Sequence, residues 1–391
     1  MRKYDIAIVG GGASGLLLSC LLAERGRKNF ILLERNDRLG KKLSATGNGQ
    51  GNITNLDMSA EHFYSDEKEK VASLLSRFSQ RELLSFLEKL GGLFEADERG
   101  RVYPASKQAS SVTDLLRGYL AAKGVFVRTG FFVREVTCSE GFCLKGEGEE
   151  LLCSRLVLCG GGMAQKNFGS DGNMYEIAKK FGHTVVKPHP SLVQIKTDAE
   201  PIKGLKGIRA DVRLSAFDGG KMLGSSEGDV IFTDYGVSGN AVFYLSPKLA
   251  DRTSATLSIE FLPNVTRKKL VSLLQNKIAS RKDVEKSEIL GCFLNNQIGR
   301  NVVRRAPAFT AEALVDTLKD YKLQYRGTLG FDYAQVTRGG VPLKETDFAL
   351  QSKKKKNLYF CGELLNVDGD CGGYNLQWAF SSAYAVAQAL L

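Results

Sequence analysis

The chain has 391 residues, of which 43% are hydrophobic and 25% are charged, a balance that is typical of globular proteins and excludes a mainly disordered chain. The formal net charge is +11, but the basic residues are scattered and accompany no nucleic-acid-binding motif, so we expect no nucleic-acid partner. No apolar run reaches the roughly 20 residues that cross a bilayer, and no signal peptide is visible. We therefore expect a cytoplasmic protein with no membrane partner.

The cysteines and histidines give no sign of a metal site. None of the eight cysteines forms a Cys-x-x-Cys pair, and the three histidines are not clustered, so we predict no metal. One dense basic run, residues 353–356, precedes a strand-like segment, and we interpret it as a solvated turn.

The first forty residues contain the strongest pattern. Residues 4–9 form a short apolar run, typical of a strand buried on both faces of a parallel sheet. The glycine turn Gly10–Gly15 follows and leads into a helical pattern that ends at about Glu24. A second strand pattern, residues 30–33, stops at Glu34. Strand, glycine turn, helix, strand and acid in this order predict a dinucleotide-binding βαβ unit.

Each residue type in this motif has a structural reason to be at its position. Gly10 makes the tight turn, Gly12 allows a pyrophosphate to approach the backbone, and Gly15 allows the helix to pack on the strand. The helix N-terminus offers unpaired N–H groups to the phosphates. Glu34 is placed to accept hydrogen bonds from ribose hydroxyls, and its charge argues against a 2′-phosphate at this position.

A second glycine-rich segment, residues 40–55, is too polar for a core element. We expect its backbone to wrap the phosphate–ribitol part of a long cofactor, with Lys41 or Lys42 near the charge. A flexible surface loop is the alternative.

The C-terminal end repeats the order strand, glycine, acid, glycine and helix. Residues 358–361 predict a strand that ends on Gly362 and Glu363, and a glycine-rich bend leads into a helix from about Asn375 to Leu391. That helix N-terminus is a second site for an anion or a carbonyl oxygen. Such a split is expected of FAD proteins, in which the extended cofactor reaches both elements. No second complete glycine motif is present, which argues against a separate nicotinamide domain.

Five segments carry a family resemblance over essentially the whole chain. Residues 5–15, 40–55, 228–239, 336–341 and 358–380 resemble the bacterial flavoprotein family that includes the BaiN-type oxidoreductases and the aminoacetone oxidases. Residues 232–240 are more similar to the streptococcal aminoacetone oxidases.

The resemblance implies an α/β fold in which a doubly wound, Rossmann-like FAD-binding domain is built from both chain ends, with an inserted β-barrel-like domain and a small helical domain. The composition changes near Pro188 and Pro190, and short strand-like and helical segments follow. We accordingly assign residues 1–190 and 336–391 to the FAD-binding domain, 191–262 and about 319–335 to a β-rich substrate domain, and 263–318 to a helical insert. Hydrophobic spacing predicts a helical pattern from about 67 to 90 and a strand over 131–136. Thr266 is placed to cap a helix that follows it.

The chain departs from the family pattern at three places. Many relatives have Arg-Cys where this chain has Gln50-Gly51, His where it has Asp234, and Pro where it has Asn240. A thiol function of the loop cysteine is therefore absent here.

The expected cofactor contacts lie in the glycine turns, in the acids that follow two strands, and in the C-terminal bend. They are Gly10, Gly12, Ala13, Ser14, Gly15, Glu34, Arg35, Lys41, Lys42, Thr46, Gly47, Asn48, Gly49, Asn52, Val133, Cys159, Gly160, Gly161, Asp171, Gly362, Glu363, Gly373, Tyr374, Asn375 and Leu376. For the substrate pocket we expect Tyr235, Arg338 and Tyr374. We assign no catalytic residue, because oxidation of a neutral amine needs no acid or base.

The resemblance implies an FAD-dependent oxidase of a small primary amine such as aminoacetone. Hydride passes to flavin N5, the imine hydrolyses to a carbonyl product and ammonia, and O2 reoxidises the flavin to give hydrogen peroxide. Two alternatives stay open. One is an NAD(P)H-dependent flavin reductase of an enone or sterol-like substrate, as BaiN-type relatives suggest, and the other is a non-catalytic flavin- or RNA-binding protein. The sequence makes no prediction of oligomeric state.

Overall fold

The computed structural model describes residues 2–391, which divide into two compact units. The first unit runs from the start of the described chain to His189 and continues from Val336 to Leu391. The second unit is Pro190–Gln335. Each unit has its own hydrophobic core.

The described residues form twenty strands and ten α-helices. In chain order the strands are β1 (Arg2–Val9), β2 (Phe30–Leu33), β3 (Thr54–Asn55), β4 (Phe63–Tyr64), β5 (Phe94–Ala96), β6 (Arg101–Pro104), β7 (Phe126–Arg128), β8 (Glu135–Cys138), β9 (Phe142–Lys145), β10 (Glu150–Leu158), β11 (Val186–Ser191), β12 (Ile195–Thr197), β13 (Arg209–Asp218), β14 (Lys221–Phe232), β15 (Gly236–Ser238), β16 (Thr256–Phe261), β17 (Tyr321–Thr328), β18 (Val336–Gly340), β19 (Leu358–Phe360) and β20 (Asp368–Gly369). The helices are α1 (Ala13–Glu24), α2 (Lys68–Arg77), α3 (Gln80–Lys89), α4 (Ala109–Ala122), α5 (Asn173–Lys180), α6 (Asn240–Leu245), α7 (Arg267–Ser280), α8 (Asn296–Arg305), α9 (Ala311–Lys319) and α10 (Tyr374–Leu390).

A seven-stranded mixed sheet forms the centre of the first unit, with the order β7-β2-β1-β10-β9-β8 and with β19 also paired to β10. Strands β7, β2, β1, β10 and β19 are parallel, whereas β9 pairs antiparallel with both β10 and β8. The glycine turns that follow β1, β10 and β19 therefore lie at the same edge of the sheet, where ligands bind in open α/β folds. The predicted Rossmann-like fold, built from both chain ends, is confirmed.

The second unit contains a closed barrel of six antiparallel strands in the order β12-β15-β14-β13-β16-β17. The chain leaves the barrel after β16, forms α7, α8 and α9, and returns as β17. Helix α7 begins where the sequence predicts a cap, because Thr266 Oγ1 accepts a hydrogen bond from Lys269 N at 3.3 Å. The inserted barrel and the helical element of the predicted fold class are both present.

The helical pattern predicted over about 67–90 is present as two helices, α2 and α3. Ser79 and Glu82 form a capping box that starts α3, with Ser79 N donating to Glu82 Oε2 at 2.5 Å. One local prediction is wrong. The strand over 131–136 begins only at Glu135. Phe131 N donates to Glu34 O and Arg134 N donates to Lys145 O, so this segment crosses from one side of the sheet to the other instead of pairing as a strand.

Helix α10 is buried along most of its length and packs in the core of the first unit. Trp378 is 1% exposed, and its Nε1 donates to Gly362 O at 3.1 Å, which fixes the turn after β19 to the helix. Within residues 2–391, no helix has the length and apolar character needed to span a bilayer.

Candidate active site at the carboxyl edge of the sheet

The three glycines of the first turn have different surroundings. A Cβ at Gly10 would overlap Cys159 O, and one at Gly15 would overlap Gly10 O, so close packing excludes a side chain at both positions. A Cβ at Gly12, in contrast, would have no heavy atom within 4 Å. Gly12 therefore borders open space, and a ligand can approach its backbone.

Helix α1 begins at Ala13, beside that open space. Its N-cap is Gly12, no side chain caps the helix, and no acidic residue lies in its first turn. The backbone N–H groups and the positive end of the helix dipole are thus available to an anion. Ser14 is buried there, 6% exposed.

Glu34 is buried at the end of β2 and faces the glycine turn. Its Oε2 accepts a hydrogen bond from Gly11 N at 2.8 Å, and its Oε1 accepts from Asn36 N and Asn36 Nδ2, both at 2.8 Å. These bonds hold the carboxylate in place while Oε2 keeps a free lone pair. Glu34 can therefore accept a hydrogen bond from a hydroxyl group of a ligand.

The structure brings two further predicted residues together. Arg35 NH1 lies 2.7 Å from Asp171 Oδ2, and the guanidinium lies 4.2 Å from the centre of the Phe132 ring. The same NH1 donates to Gly169 O at 3.2 Å. Arg35 and Asp171 thus tie the loop before α5 to the end of β2, next to Glu34.

The glycine-rich segment is a set of tight turns. Residues 43–49 contain 3-10 turns that are interrupted by a kink at Thr46, Gly47 and Asn48, and the last two of these are in the left-handed region at φ 58° and 54°. Thr46 Oγ1 donates to Leu43 O at 2.7 Å. The Asn52 side-chain amide is oriented so that both its oxygen and its nitrogen form hydrogen bonds. Its oxygen accepts a hydrogen bond from Gly373 N at 3.2 Å.

The two lysines of this segment have different partners. Lys41 Nζ lies 2.6 Å from Asp37 Oδ1, whose side chain is exposed. Lys42 Nζ lies 2.9 Å from Glu363 Oε2. Of the two, Lys42 therefore connects the N-terminal segment to the acid that follows β19.

Glycines of the C-terminal elements also pack against the N-terminal motif. A Cβ at Gly362 would lie 2.6 Å from Ser14 Oγ, and one at Gly373 would overlap Thr54 O. Gly362 and Gly373 both have positive φ, at 68° and 99°, which favours glycine further. Both motifs predicted from the two chain ends therefore form one continuous surface.

Helix α10 begins within this surface. Gly373 is its N-cap, no side chain caps it, and its first turn holds no acid. Asn375 Oδ1 accepts from Gly369 N and Asn375 Nδ2 donates to Gly369 O, both at 2.8 Å, which stiffens the bend before the helix. Leu376 is half-buried in the same turn.

The segment that follows β10 contributes mainly backbone atoms, and few side chains, to the candidate site. Cys159 is buried, 4% exposed, and a Cβ at Gly160 would overlap the Met174 side chain. Gly161 follows with φ 73°. Val133 is buried nearby, and its carbonyl oxygen accepts from Asn173 Nδ2 at 3.4 Å.

A polar cluster that the sequence analysis missed lies beside the start of α10. His62 Nδ1 is 3.2 Å from Asp370 Oδ2, and His62 Nε2 is 3.3 Å from the exposed Asp57 Oδ2. Tyr64 Oη donates to Asp370 Oδ1 at 3.1 Å. Burial and the neighbouring Asp370 raise the pKa of Tyr64, so its hydroxyl stays protonated. Since 308 residues separate His62 from Asp370, no local sequence signal could have found this contact.

Two of the residues predicted for the substrate pocket border this cluster. The Tyr374 ring is buried and stacks on His62, with 4.3 Å between ring centres. Arg338 Nε donates to Asp368 Oδ1 at 3.1 Å, and its guanidinium lies 4.0 Å from the centre of the Tyr64 ring. Asp368 is 2% exposed, so this ion pair is internal. The third residue, Tyr235, is half-buried in the second unit, between β14 and β15.

Comparison with known proteins identifies the family. The model of the HI0933-like protein Rossmann domain matches residues 4–389. The chain belongs to the HI0933-like family. A 3-dehydro-bile acid Δ(4,6)-reductase of Clostridium scindens is 34% identical over 98% of both chains, and a ribosomal RNA dihydrouridine synthase of Escherichia coli is 30% identical over 100% of this chain and 99% of its own.

The fold is also shared by solved structures. A 3-ketosteroid-Δ4-(5α)-dehydrogenase of Rhodococcus jostii has a TM-score of 0.55 at 14% identity and covers 100% of this chain and 97% of its own. The HI0933-like chain is an FAD-dependent oxidoreductase, as predicted, and FAD is its cofactor. The open space at Gly12, the uncapped N-termini of α1 and α10, and the buried acid Glu34 fit a dinucleotide with two phosphates and a ribose.

Proposed function

We propose that this protein is an FAD-dependent reductase of a carbon–carbon double bond conjugated to a carbonyl group, in an enone or sterol-like molecule. The observation that carries the proposal is the cluster of Tyr64, Asp370 and His62 beside the start of α10. Reduction of such a bond consumes one hydride and one proton, so the site needs a proton donor. Oxidation of a neutral amine needs none.

The cluster has the connections that a proton donor requires. Tyr64 Oη is protonated and donates a hydrogen bond to Asp370. The two ring nitrogens of His62 contact Asp370 on one side and the exposed Asp57 on the other. The His62 side chain is 27% exposed, so its ring nitrogens can exchange protons with solvent. A proton given up at Tyr64 Oη is replaced through His62 and Asp370.

The names of the two curated relatives support a reductive reaction. The C. scindens relative is named a reductase of a 3-dehydro-bile acid, and the E. coli relative is named for forming dihydrouridine, which is uridine with one double bond reduced. Membership of an oxidoreductase family argues against the non-catalytic alternative.

We assign the cofactor to the predicted residues as follows. Glu34 binds the adenosine ribose, the start of α1 at Gly12 to Gly15 binds the pyrophosphate, and Glu363 binds the ribitol. The start of α10 at Gly373 to Leu376 faces the flavin ring, where its positive end stabilises negative charge. When bound, FAD supplies hydride chemistry at N5. Lys42 balances the charge of Glu363.

The reductant in this proposal is NADH or NADPH from solution. The sequence has one complete glycine motif, Gly10–Gly15, which is assigned to FAD. No second such motif is present to hold a nicotinamide dinucleotide in a domain of its own. The second unit is a barrel with helices and contains no βαβ unit within residues 190–335.

Oxidation of a small amine such as aminoacetone, with O2 as acceptor, is the second candidate. It is supported by the similarity of residues 232–240 to the streptococcal aminoacetone oxidases. Asp234 in this segment is exposed and lies 2.8 Å from Lys206 Nζ.

One anaerobic experiment distinguishes the two candidates. The FAD-loaded protein is mixed with NADH, with NADPH or with aminoacetone, and flavin absorbance is followed. A 3-oxo-Δ4-steroid or uridine-containing ribosomal RNA is then added, and the product is analysed by mass. We expect bleaching by a nicotinamide, recovery with the enone and a product heavier by two hydrogens. Bleaching by aminoacetone alone, with hydrogen peroxide formed in air, would overturn the reductase in favour of the oxidase.

A further inference from the structure

Arg338 is carried by a segment whose backbone is fixed by close packing. It lies in β18, where a Cβ at Gly339 would lie 2.6 Å from Lys187 O and one at Gly340 would lie 2.5 Å from Leu364 O. Both glycines have positive φ, at 98° and 121°. Packing therefore explains the two glycines of this segment, but it leaves the arginine before them unexplained.

The Arg338 side chain contacts both Asp368 and Tyr64. Its Nε donates to Asp368 Oδ1 at 3.1 Å, and the Asp368 side chain is 1% exposed. Asp368 and Tyr64 are directly opposite each other in the antiparallel pair of β20 and β4. The guanidinium lies 4.0 Å from the centre of the Tyr64 ring. The ion pair with Asp368 thus holds a cation over the face of this tyrosine.

Two carboxylates and one cation act on the Tyr64 hydroxyl. Tyr64 Oη donates to Asp370 Oδ1 at 3.1 Å, and Asp370 is also in contact with His62 on its other side. Burial and the charge of Asp370 raise the pKa of Tyr64, and Asp368 raises it further, whereas the charge of Arg338 lowers it. Arg338 therefore offsets part of the effect of the two carboxylates.

Proton donation makes this offset important. When Tyr64 gives its proton to a carbon of the substrate double bond, the O–H bond breaks, a C–H bond forms, and the addition of one hydride and one proton is complete. The tyrosine oxygen is then negative until a proton returns through His62 and Asp370. Two neighbouring carboxylates disfavour that charge, and a cation over the ring favours it.

We propose that Arg338 is the positioning residue of this proton donor: its ion pair with Asp368 holds it against the Tyr64 ring, where its charge stabilises the tyrosinate that proton donation leaves. The inference rests on the proposed reductase. It also changes the expected function of Arg338, from contact with the substrate to an action through Tyr64.

The first test measures the acidity of the tyrosine at position 64 in the FAD-loaded protein without turnover. Trifluorotyrosine is incorporated at this position, because fluorination makes the phenol more acidic, and fluorine NMR follows its ionisation. We expect Arg338→Gln to raise the pKa of this group, because glutamine can bond to Asp368 but carries no charge. Arg338→Lys keeps the charge and should raise the pKa less. Equal pKa values with arginine, lysine and glutamine at position 338 would overturn the inference.

The second test follows single-turnover reoxidation of the reduced flavin by the 3-oxo-Δ4-steroid or the ribosomal RNA, whichever the wild type reduces. Arg338→Gln should slow this step about tenfold at saturating substrate, because the acid in the transition state is weakened. Trifluorotyrosine at position 64 should restore much of the lost rate, since a more acidic phenol depends less on the cation. Weaker substrate binding at an unchanged maximal rate would show that Arg338 contacts the substrate, and would overturn the inference.

Arg305→Gln is the matched control. Arg305 lies 4.5 Å from the centre of the Tyr321 ring, so it is also an arginine over a tyrosine, but both belong to the second unit. Its substitution should leave the pKa at position 64 and the reoxidation rate unchanged.

A second variant covers a failure of Arg338→Gln to fold, since that substitution leaves the buried Asp368 without its cation. Arg338→Gln combined with Asp368→Asn removes both charges, and it should raise the pKa at position 64 relative to Asp368→Asn alone. Wild-type pKa and rate in the Arg338 variants would overturn this inference and leave the proposed reductase intact. Failure of the wild type to reduce either substrate would overturn both.

Discussion

Lys42 Nζ lies 2.9 Å from Glu363 Oε2, although 321 residues separate the two in the chain. Both side chains are about one-fifth exposed, each at 21%. Ion pairs that are this well shielded are coupled more strongly than pairs on the surface. This contact joins the glycine-rich segment after β2 to the turn after β19, and therefore joins the two halves of the proposed cofactor site.

Lys42→Met should weaken FAD binding about tenfold. The substitution keeps the length of the aliphatic chain but leaves the Glu363 carboxylate without its counter-charge, and that carboxylate then repels the cofactor phosphates. Kd for FAD, measured by fluorescence titration, is the readout. Lys41→Met is the matched control, because Lys41 pairs with the exposed Asp37, and it should change Kd less than twofold.

A double-mutant cycle makes the prediction sharper. The effects of Lys42→Met and Glu363→Gln on the free energy of FAD binding should be non-additive by about 1 kcal/mol, as expected for contacting residues. Additive effects would show that the two side chains act on FAD independently.

Gly12→Ala should separate cofactor binding from folding. The backbone of Gly12 has φ −79° and ψ −162°, which alanine also adopts, and the new methyl group would meet no atom of the protein within 4 Å. The melting temperature of the FAD-free protein should thus change little. Kd for FAD should rise at least tenfold, because the methyl group would occupy the space proposed for the pyrophosphate.

Gly15→Ala is the contrasting variant. Its methyl group would overlap Gly10 O, so we expect a loss of roughly 1–3 kcal/mol in the free energy of unfolding, even without FAD. Chemical denaturation of the FAD-free proteins measures both variants. If Gly12→Ala were the more destabilised of the two, Gly12 would be a packing residue and the assignment of the pyrophosphate would fail.

The sequence was sufficient for the parts of the fold that depend on local pattern. The apolar run before Gly10, the acid at Glu34 and the cap at Thr266 each signal an element within a few residues, and the structure has those elements where expected. The capping box at Ser79 is equally local and could have been used to divide the helix over 67–90.

Contacts between distant segments could not be predicted in this way. Lys70 shows the reason: on α2 it looks like a surface lysine, but it is 6% exposed, and its Nζ donates to Leu343 O and Thr346 O. The run at 353–356 is a largely exposed turn, as predicted, but its sequence does not show that Lys354 Nζ lies 2.9 Å from Glu345 Oε1. The sequence does not state which distant carbonyls or carboxylates will face a lysine, because the topology decides this.

Glu345 should make stability depend on pH in the acid range. Burial opposes ionisation of Glu345, but hydrogen bonds from Lys354, Thr184 and His183 outweigh it and lower the pKa of this carboxyl to about 2. The folded-state pKa is below the ordinary value of 4.5, so the stabilisation is complete above about pH 4.5 and is lost as the pH falls towards 2. The shift corresponds to no more than about 3 kcal/mol.

Urea denaturation of wild type and Glu345→Gln between pH 6 and pH 2.5 measures this dependence. The difference in the free energy of unfolding between the two proteins should be largest above pH 4.5 and should shrink on acidification. A difference that stays constant with pH would show that Glu345 contributes through hydrogen bonds alone and not through its charge.

Tyr64→Phe tests the proton donor that the proposed reductase needs. Its hydroxyl donates to Asp370 Oδ1, and the substitution removes the proton while keeping the ring under Arg338. The loss of a positioned proton donor typically costs a factor of 10² to 10⁴ in rate. We therefore expect enone reduction to slow about 100-fold, while bleaching of the flavin by the nicotinamide, which needs no proton from Tyr64, stays within about twofold.

His62→Gln separates proton supply from structure at the same cluster. Glutamine can still bond to Asp370 and Asp57, but its amide cannot pass a proton from one side of the side chain to the other. Enone reduction should slow, because protons from solvent no longer reach Asp370 and Tyr64 through this position, and Kd for FAD should be unchanged. If both Tyr64→Phe and His62→Gln reduced the enone at wild-type rates, no proton would pass through this cluster. Amine oxidation would then become the better interpretation of the site.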